Sequence, residues 1–328
     1  MRQFTTKALV MVAATALSLT AACSSSTAAT ATSSGSAAGQ QKYIAIISKG
    51  FQAQFWQAVK TGADAESVKM NVKSTFEGPA TEADVEGQIT MLTNAIAKKP
   101  DAIAFAALDT KAAAAPLADI QSKKIPLIAF DSGVDSDIPV TTAATDNKAA
   151  AGEGAKQMCK LIGNAGKVAL VVHDQTSRSG IDRRDGFIAG IQANCPNVTI
   201  LPAQYGGGDI AKSADIAKSI IQANPDLKGI FGANEGSAEG IVKGVQELNK
   251  TGLAIVGFDS GKAQKDAITS GLEAGAITQN PVGMGAAMID AAVKAINGES
   301  QPKTIDTGFY WYDKTNITDP KIAAVLYD

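Results

Sequence analysis

The sequence is short of the residues from which metal centres and disulfide frameworks are built, with one histidine and three cysteines in 328 residues. A zinc site takes three or four His, Cys, Asp or Glu ligands in a recognisable array, and no Cys-x-x-Cys or paired histidine is present. No GxSxG elbow offers a serine nucleophile. Charge of neither sign dominates: 30 Lys and Arg face 32 Asp and Glu, a net charge of -2, so no nucleic-acid partner is expected. Aromatics make up only 5% while glycine alone counts 31, which disfavours a β-sandwich and favours helices packed closely on a sheet. Gly-rich phosphate loops are missing too. SGKAQK (260–265) has Val256 where a P-loop needs glycine, and YGGGD lacks the spacing of a dinucleotide fingerprint, so no cofactor is expected.

What is present begins with a leader. MRQFTTK carries Arg2 and Lys7 and precedes ALVMVAATALSLT, an apolar stretch shorter than the ~20 residues a membrane span needs. Residues 1–22 read as an export signal. The signal ends in LTAAC, which resembles a bacterial lipobox, and Cys23 is the expected lipid attachment point. Residues 23–41 contain no charge, aromatic or β-branched aliphatic residue and read as a flexible tether with a reach of about 23 Å. The other cysteines, Cys159 and Cys195, then lie in an oxidising exterior; a disulfide between them and two thiols at buried helix ends both fit the pattern.

From Lys42 onward the apolar runs YIAII, AIAFAA, IPLIAF, VALVV, VTIL, GIFGA and AIVGFD alternate with amphipathic segments. Val85, Ile89, Leu92 and Ile96 keep helical spacing in one of these, and AKSADIAKSIIQA and SAEGIVKGVQELN follow the same pattern. Continuous apolar strands separated by helices predict parallel sheets covered on both faces, a doubly wound α/β fold. The series runs twice, most visibly in the twin strand endings AFDSG and GFDSG, so two similar lobes are expected.

Ligands of open parallel sheets bind at the carboxyl ends of the strands. That rule selects Ser48, Asp109, Asp131, the segment after Val172, Asn234, Asp259 and Gln279, with Phe55, Trp56 and Arg183 at helix starts nearby. Carboxylates and a guanidinium make charge-assisted hydrogen bonds to neutral hydroxyls, and flat rings cover C–H faces, a combination suited to a polyol.

These residues, in the order IAIIS with FW downstream, PLIAFDSG, ATDN, RRDGF, NPDLKGIFGANEG, AIVGFDSG and GAITQNP, resemble the periplasmic-binding-protein-like (type I) sugar receptors of the ribose-binding type. The resemblance spans nearly everything from Lys42 to the C-terminus. It implies two Rossmann-like lobes joined by a three-strand hinge, with 42–145 plus 280–308 in the first and 146–279 plus 309–328 in the second. It implies the binding component of an ABC importer: a monomer taking a sugar or sugar derivative and delivering it to a membrane permease. By position, Phe55 and Trp56 match the family's stacking aromatics. Asp131, Arg183, Asn234, Asp259 and Gln279 match its polar ligands, and Gln54 aligns loosely. The chain departs from the family pattern at Ser132, where ribose receptors carry arginine, and Tyr205 stands in for an aromatic of the second lobe.

The single histidine, in HDQTSRSGIDRRDGF (173–187), is assigned to a loop that holds and does not react. The main rival reading is an extracellular glycosidase using Asp131 and Asp259, which would turn its ligand over. A ligand-presenting partner of a chemotaxis receptor would share the same pocket.

Overall fold

The computed structural model describes residues 41–328; the leader, Cys23 and the tether up to residue 40 lie outside the described residues. The chain begins with β1 (Tyr43–Ile47), α1 (Gln54–Lys69), β2 (Lys73–Glu77), α2 (Val85–Ala97), β3 (Ala102–Phe105), α3 (Ala114–Ser122), β4 (Leu127–Phe130) and β5 (Thr141–Ala144). It continues with α4 (Asn147–Leu161), β6 (Gly166–Val172), α5 (Arg178–Asn194), β7 (Val198–Ile200), β8 (Gln204–Tyr205), α6 (Ile210–Ala223), β9 (Leu227–Gly232), α7 (Glu235–Glu247) and β10 (Ala254–Phe258). Then come α8 (Lys262–Ser270), β11 (Gly275–Gln279), α9 (Pro281–Ile296), β12 (Thr304–Asp306), β13 (Phe309–Tyr312) and α10 (Pro320–Ala323).

Two sheets result. The first has the order β12-β5-β4-β3-β1-β2 and is parallel throughout. The second runs β13-β11-β10-β9-β6-β7, with β13 antiparallel to β11 and β8 beside β6. Strands β3 and β4 are buried at every residue, as apolar runs covered on both faces must be. The chain passes from one sheet to the other after β5, after β11 and between β12 and β13, which makes the three-strand hinge of a type I binding-protein fold.

Helix α1, which carries Phe55 and Trp56, is clamped to α9 at backbone contact distance. A Cβ on Gly62 would stand 1.9 Å from the Val282 carbonyl oxygen, and one on Gly285 2.0 Å from that of Val59, so only glycine permits this approach. In the second lobe Cys159 of α4 and Cys195, just past α5, form a disulfide that ties these two packed helices together.

Candidate ligand site between the lobes

The twin motifs fold alike. Asp131 after β4 and Asp259 after β10 both adopt left-handed backbone, with φ of 54° and 84°. Each donates its backbone N–H across to the neighbouring strand, Asp131 to Ala143 at 3.0 Å and Asp259 to Ile277 at 2.6 Å. Left-handed φ outside glycine is strained, and holding an acid in that conformation at a strand end turns its side chain into the cleft. The following serines, Ser132 and Ser260, are fully buried.

A small enclosed cavity lies between the lobes, lined by Lys49, Phe55, Trp56, Glu82, Asp131, His173, Arg183, Asn234, Glu235, Asp259 and Gln279. Phe55 and Trp56 meet edge to face at 4.9 Å, and the Trp56 indole N–H donates to Glu82 at 2.6 Å. Arg183 is stacked 3.7 Å over the Phe258 ring and donates to Asn147 at 2.7 Å and to the Ala233 carbonyl at 2.9 Å; its guanidinium stands 3.9 Å from Asp259. Asp259 accepts from the Glu235 backbone N–H at 2.9 Å and from the Gln279 amide at 2.7 Å. Asn234 caps α7 through Ser237 N–H, while its amide faces Glu82 across the cleft at 3.5 Å.

Three buried polar atoms on this lining have no hydrogen-bond partner: Asp131 Oδ2, His173 Nδ1 and Gln279 Oε1. Orphaned groups of this kind are costly unless something fills them, and two of the three can only accept. A donor-rich ligand answers that need.

Charge in the cavity is set by burial. Burial works against the Lys49 ammonium, but Asp131 at 3.4 Å, Glu82 and Asp174 outweigh it and raise its pKa, so it stays charged. Burial raises Glu82 and Asp259 above the usual carboxylate range, opposed by Lys49 and by Arg183 respectively. Burial and the neighbouring Asp259 push Glu235 up to about 7. His173 is driven down to about 3 by burial, against the pull of Asp174, so the ring is neutral.

Seven of the residues selected from the sequence, Phe55, Trp56, Asp131, Arg183, Asn234, Asp259 and Gln279, share this lining. Two do not. The Ser48 hydroxyl donates to the Gly50 carbonyl at 2.6 Å and closes the turn after β1, and Gln54 sits outside the cavity and accepts from the Lys262 backbone N–H at 2.7 Å. Asp109 caps the turn at Lys111 and Ala112, and the Tyr205 hydroxyl meets Arg184. His173 does lie in the loop, directly after β6, but its ring also lines the cavity, with Nε2 3.3 Å from the Ser179 hydroxyl. Lys49, Glu82 and Glu235 were not selected at all. Lys49 and Glu235 each adjoin a selected residue, which is the signal that could have found them.

Residues 44–300 match the family model described as periplasmic binding protein domain. The D-allose-binding periplasmic protein of Escherichia coli is 27% identical over 260 residues, 76% of this chain and 83% of that protein. An ABC transporter solute-binding protein of Agrobacterium vitis, solved with bound D-fucose, is 34% identical with a TM-score of 0.84, covering 87% of this chain and 100% of that one. Another from the same organism, solved with α-D-tagatopyranose, is 31% identical with a TM-score of 0.84, covering 88% and 100%. A family model that spans most of the described residues, joined to structural relatives matched over their whole length, establishes that this chain belongs to the periplasmic binding protein domain family.

Proposed function

We propose that this chain is the substrate-binding component of an ABC importer, that it closes two lobes on a neutral monosaccharide or sugar derivative, and that it delivers the sugar to a membrane permease. The observation that carries the reading is the cavity itself, where two flat aromatics stand beside buried carboxylates, a guanidinium and unfilled acceptors. Relatives solved with D-fucose and α-D-tagatopyranose, and a curated relative named for D-allose, support the sugar class. Phe55 and Trp56 supply the flat contact, and Asp131, Arg183, Asn234, Asp259 and Gln279 fix the hydroxyls. The two lobes correspond to 42–145 plus 280–308 and 146–279 plus 309–328, acting as a monomer.

The lining argues further about charge. Two cations, Lys49 and Arg183, face four carboxylates, Glu82, Asp131, Glu235 and Asp259. An added anion would be buried beside these acids, a costly placement, so neutral sugars are expected to bind in preference to sugar acids and sugar phosphates. A thermal-shift panel of D-allose, D-ribose, D-fucose and D-tagatose beside glucuronate and ribose 5-phosphate tests this. A neutral sugar at a hundred times its dissociation constant stabilises by about 2.7 kcal/mol. A shift with the anionic members alone would reverse the reading, and chromatography of the incubated sugar separates a receptor from a glycosidase, since only the latter consumes it.

The anchoring proposal is lipid on Cys23, with the body held on the outer side of the membrane where its family works. Among the described residues no helix is long and apolar enough to cross a membrane. Cys23→Ala is expected to release the body into the medium or leave an uncleaved precursor. Retention of a mature, membrane-bound C23A protein would remove the proposal.

A further inference from the structure

Most helices among the described residues begin with a side-chain cap from their own N-terminus, including Asp84, Asp146, Ser177, Asp209, Asn234 and Asn280. Helices α1, α3 and α8 do not; the N-cap positions of α1 and α8 are Ala53 and Gly261, which offer no side-chain acceptor. The first N–H groups of a helix have no intrahelical partner, so both starts need acceptors from elsewhere.

Both acceptors come from the opposite lobe. The Glu235 carboxylate, at the start of α7 in the second lobe, accepts from the backbone N–H of Gln54 at 2.8 Å and of Phe55 at 3.0 Å, the first two residues of α1 in the first lobe. In return, the Gln54 side chain accepts from the Lys262 backbone N–H at 2.7 Å, the first residue of α8 in the second lobe. The Tyr327 hydroxyl, 3.3 Å from Glu235, steadies the carboxylate from the C-terminal tail. Gly261 lies where the two caps meet: a Cβ there would stand 3.0 Å from Gln54 Oε1 and 3.1 Å from the Glu235 carboxyl carbon.

We propose that Glu235 and Gln54 are positioning residues forming a reciprocal latch, in which each lobe caps a helix of the other, so that both helix starts are satisfied only when the cleft is shut. The latch lies beside the sugar site and holds Phe55 and Trp56, which follow directly on the capped N–H groups, at the cavity wall. It rests on the two-lobed receptor reading for its purpose, but its contacts belong to the protein alone.

A local cap protects only the amides it touches, whereas a latch protects all of them together. The test is amide exchange of the ligand-free full-length chain, followed by NMR at Gln54, Phe55 and Lys262 in wild type, Glu235→Ala, Glu235→Gln, Gln54→Ala and Gly261→Ala. Loss of a cap corresponds to about a fivefold change in equilibrium. Glu235→Ala is expected to speed exchange about fivefold at Gln54 and Phe55 and also at Lys262, which it does not touch. Gln54→Ala should produce the reciprocal effect, Gly261→Ala should do both by wedging the caps apart, and Glu235→Gln, which keeps one acceptor oxygen, should fall between. Acceleration confined to the amides each side chain contacts would overturn the latch. The separate sugar panel decides the receptor reading, because these rates are measured without any sugar; unchanged melting temperatures among the four variants show that the lobes themselves stay folded.

Discussion

Arg183→Ala and Asp259→Ala are each expected to weaken sugar binding by roughly 30- to 150-fold, about 2 to 3 kcal/mol. Arg183 is the better anchored of the two. Its removal leaves the Asn147 side-chain oxygen and the Ala233 carbonyl without their buried donor, and it strips the nearest cation from Asp259. Losing Asp259 leaves that guanidinium without its nearest carboxylate and frees the Gln279 amide it holds at 2.7 Å. Truncating one member of a buried, hydrogen-bonded charge arrangement costs more than a neutral contact because the other member stays buried. His173 provides the contrast. Its ring is neutral, with a pKa near 3, so its unpartnered Nδ1 offers a neutral hydrogen bond of about 0.5 to 1.5 kcal/mol. His173→Gln should therefore cost about tenfold at most, and affinity should carry no His173 titration between pH 5 and 8. Calorimetric titration of the three variants with the sugar chosen by the thermal panel settles the order. A histidine change that abolishes binding while the Arg183 and Asp259 changes leave it intact would misplace the site.

The fold was legible where strands are buried on both faces, since β1, β3, β4 and β10 are continuous apolar runs and β6 and β9 carry such runs after a lysine near their starts. It was not legible at β2 or β5. Strand β2 is an edge strand reading KSTFE, with Lys73 exposed and no residue fully buried, so it carries no apolar run to notice. Strand β5 reads TTAA, in which small and polar residues fill a crowded position beside β4.

The same distinction separates the site residues that were found from those missed. Asp131 and Asp259 announce themselves through repeated motifs at the ends of central strands. Glu82 follows the unnoticed edge strand β2 and reaches the cavity only because the loop after it folds back to Trp56. Lys49 was missed by one position. Side chains alternate along an extended chain, so Ser48 and Lys49 leave β1 on opposite sides, and it is Lys49 that faces the cleft. Gln54 shows a different limit: it aligns loosely with the family's ligand-binding loop, whereas its partner is a backbone N–H of the other lobe, a contact that only the assembled structure reveals.

Away from the cleft, Glu273→Gln is expected to change the pH dependence of stability strongly. Glu273 is 1% exposed, and its carboxyl meets only the Gln264 amide at 3.1 Å, leaving Oε2 without a partner. Burial, opposed by that hydrogen bond, pushes its pKa up to about 8 from an ordinary 4.5. The site is enclosed tightly enough that β10 must run past it as glycine, because a Cβ on Gly257 would stand 2.1 Å from Glu273 Oε1. The folded protein thus keeps a proton that the unfolded chain releases near 4.5. The stability due to that proton is fully present below pH 4.5 and is lost progressively as pH rises to about 8, some 3.5 pH units. At 1.36 kcal/mol per unit this amounts to roughly 5 kcal/mol. Glutamine keeps the size and stays neutral, so the variant's stability should no longer fall through this range, and its advantage over wild type should grow steadily from pH 4.5 to 8 and level off above. Denaturant unfolding of both proteins at half-unit steps from pH 4.5 to 9 gives the difference directly, and groups that titrate alike in both cancel. Parallel stability profiles would show that Glu273 is ionised in the folded protein, with a counterion or water reaching it, and would retire the prediction.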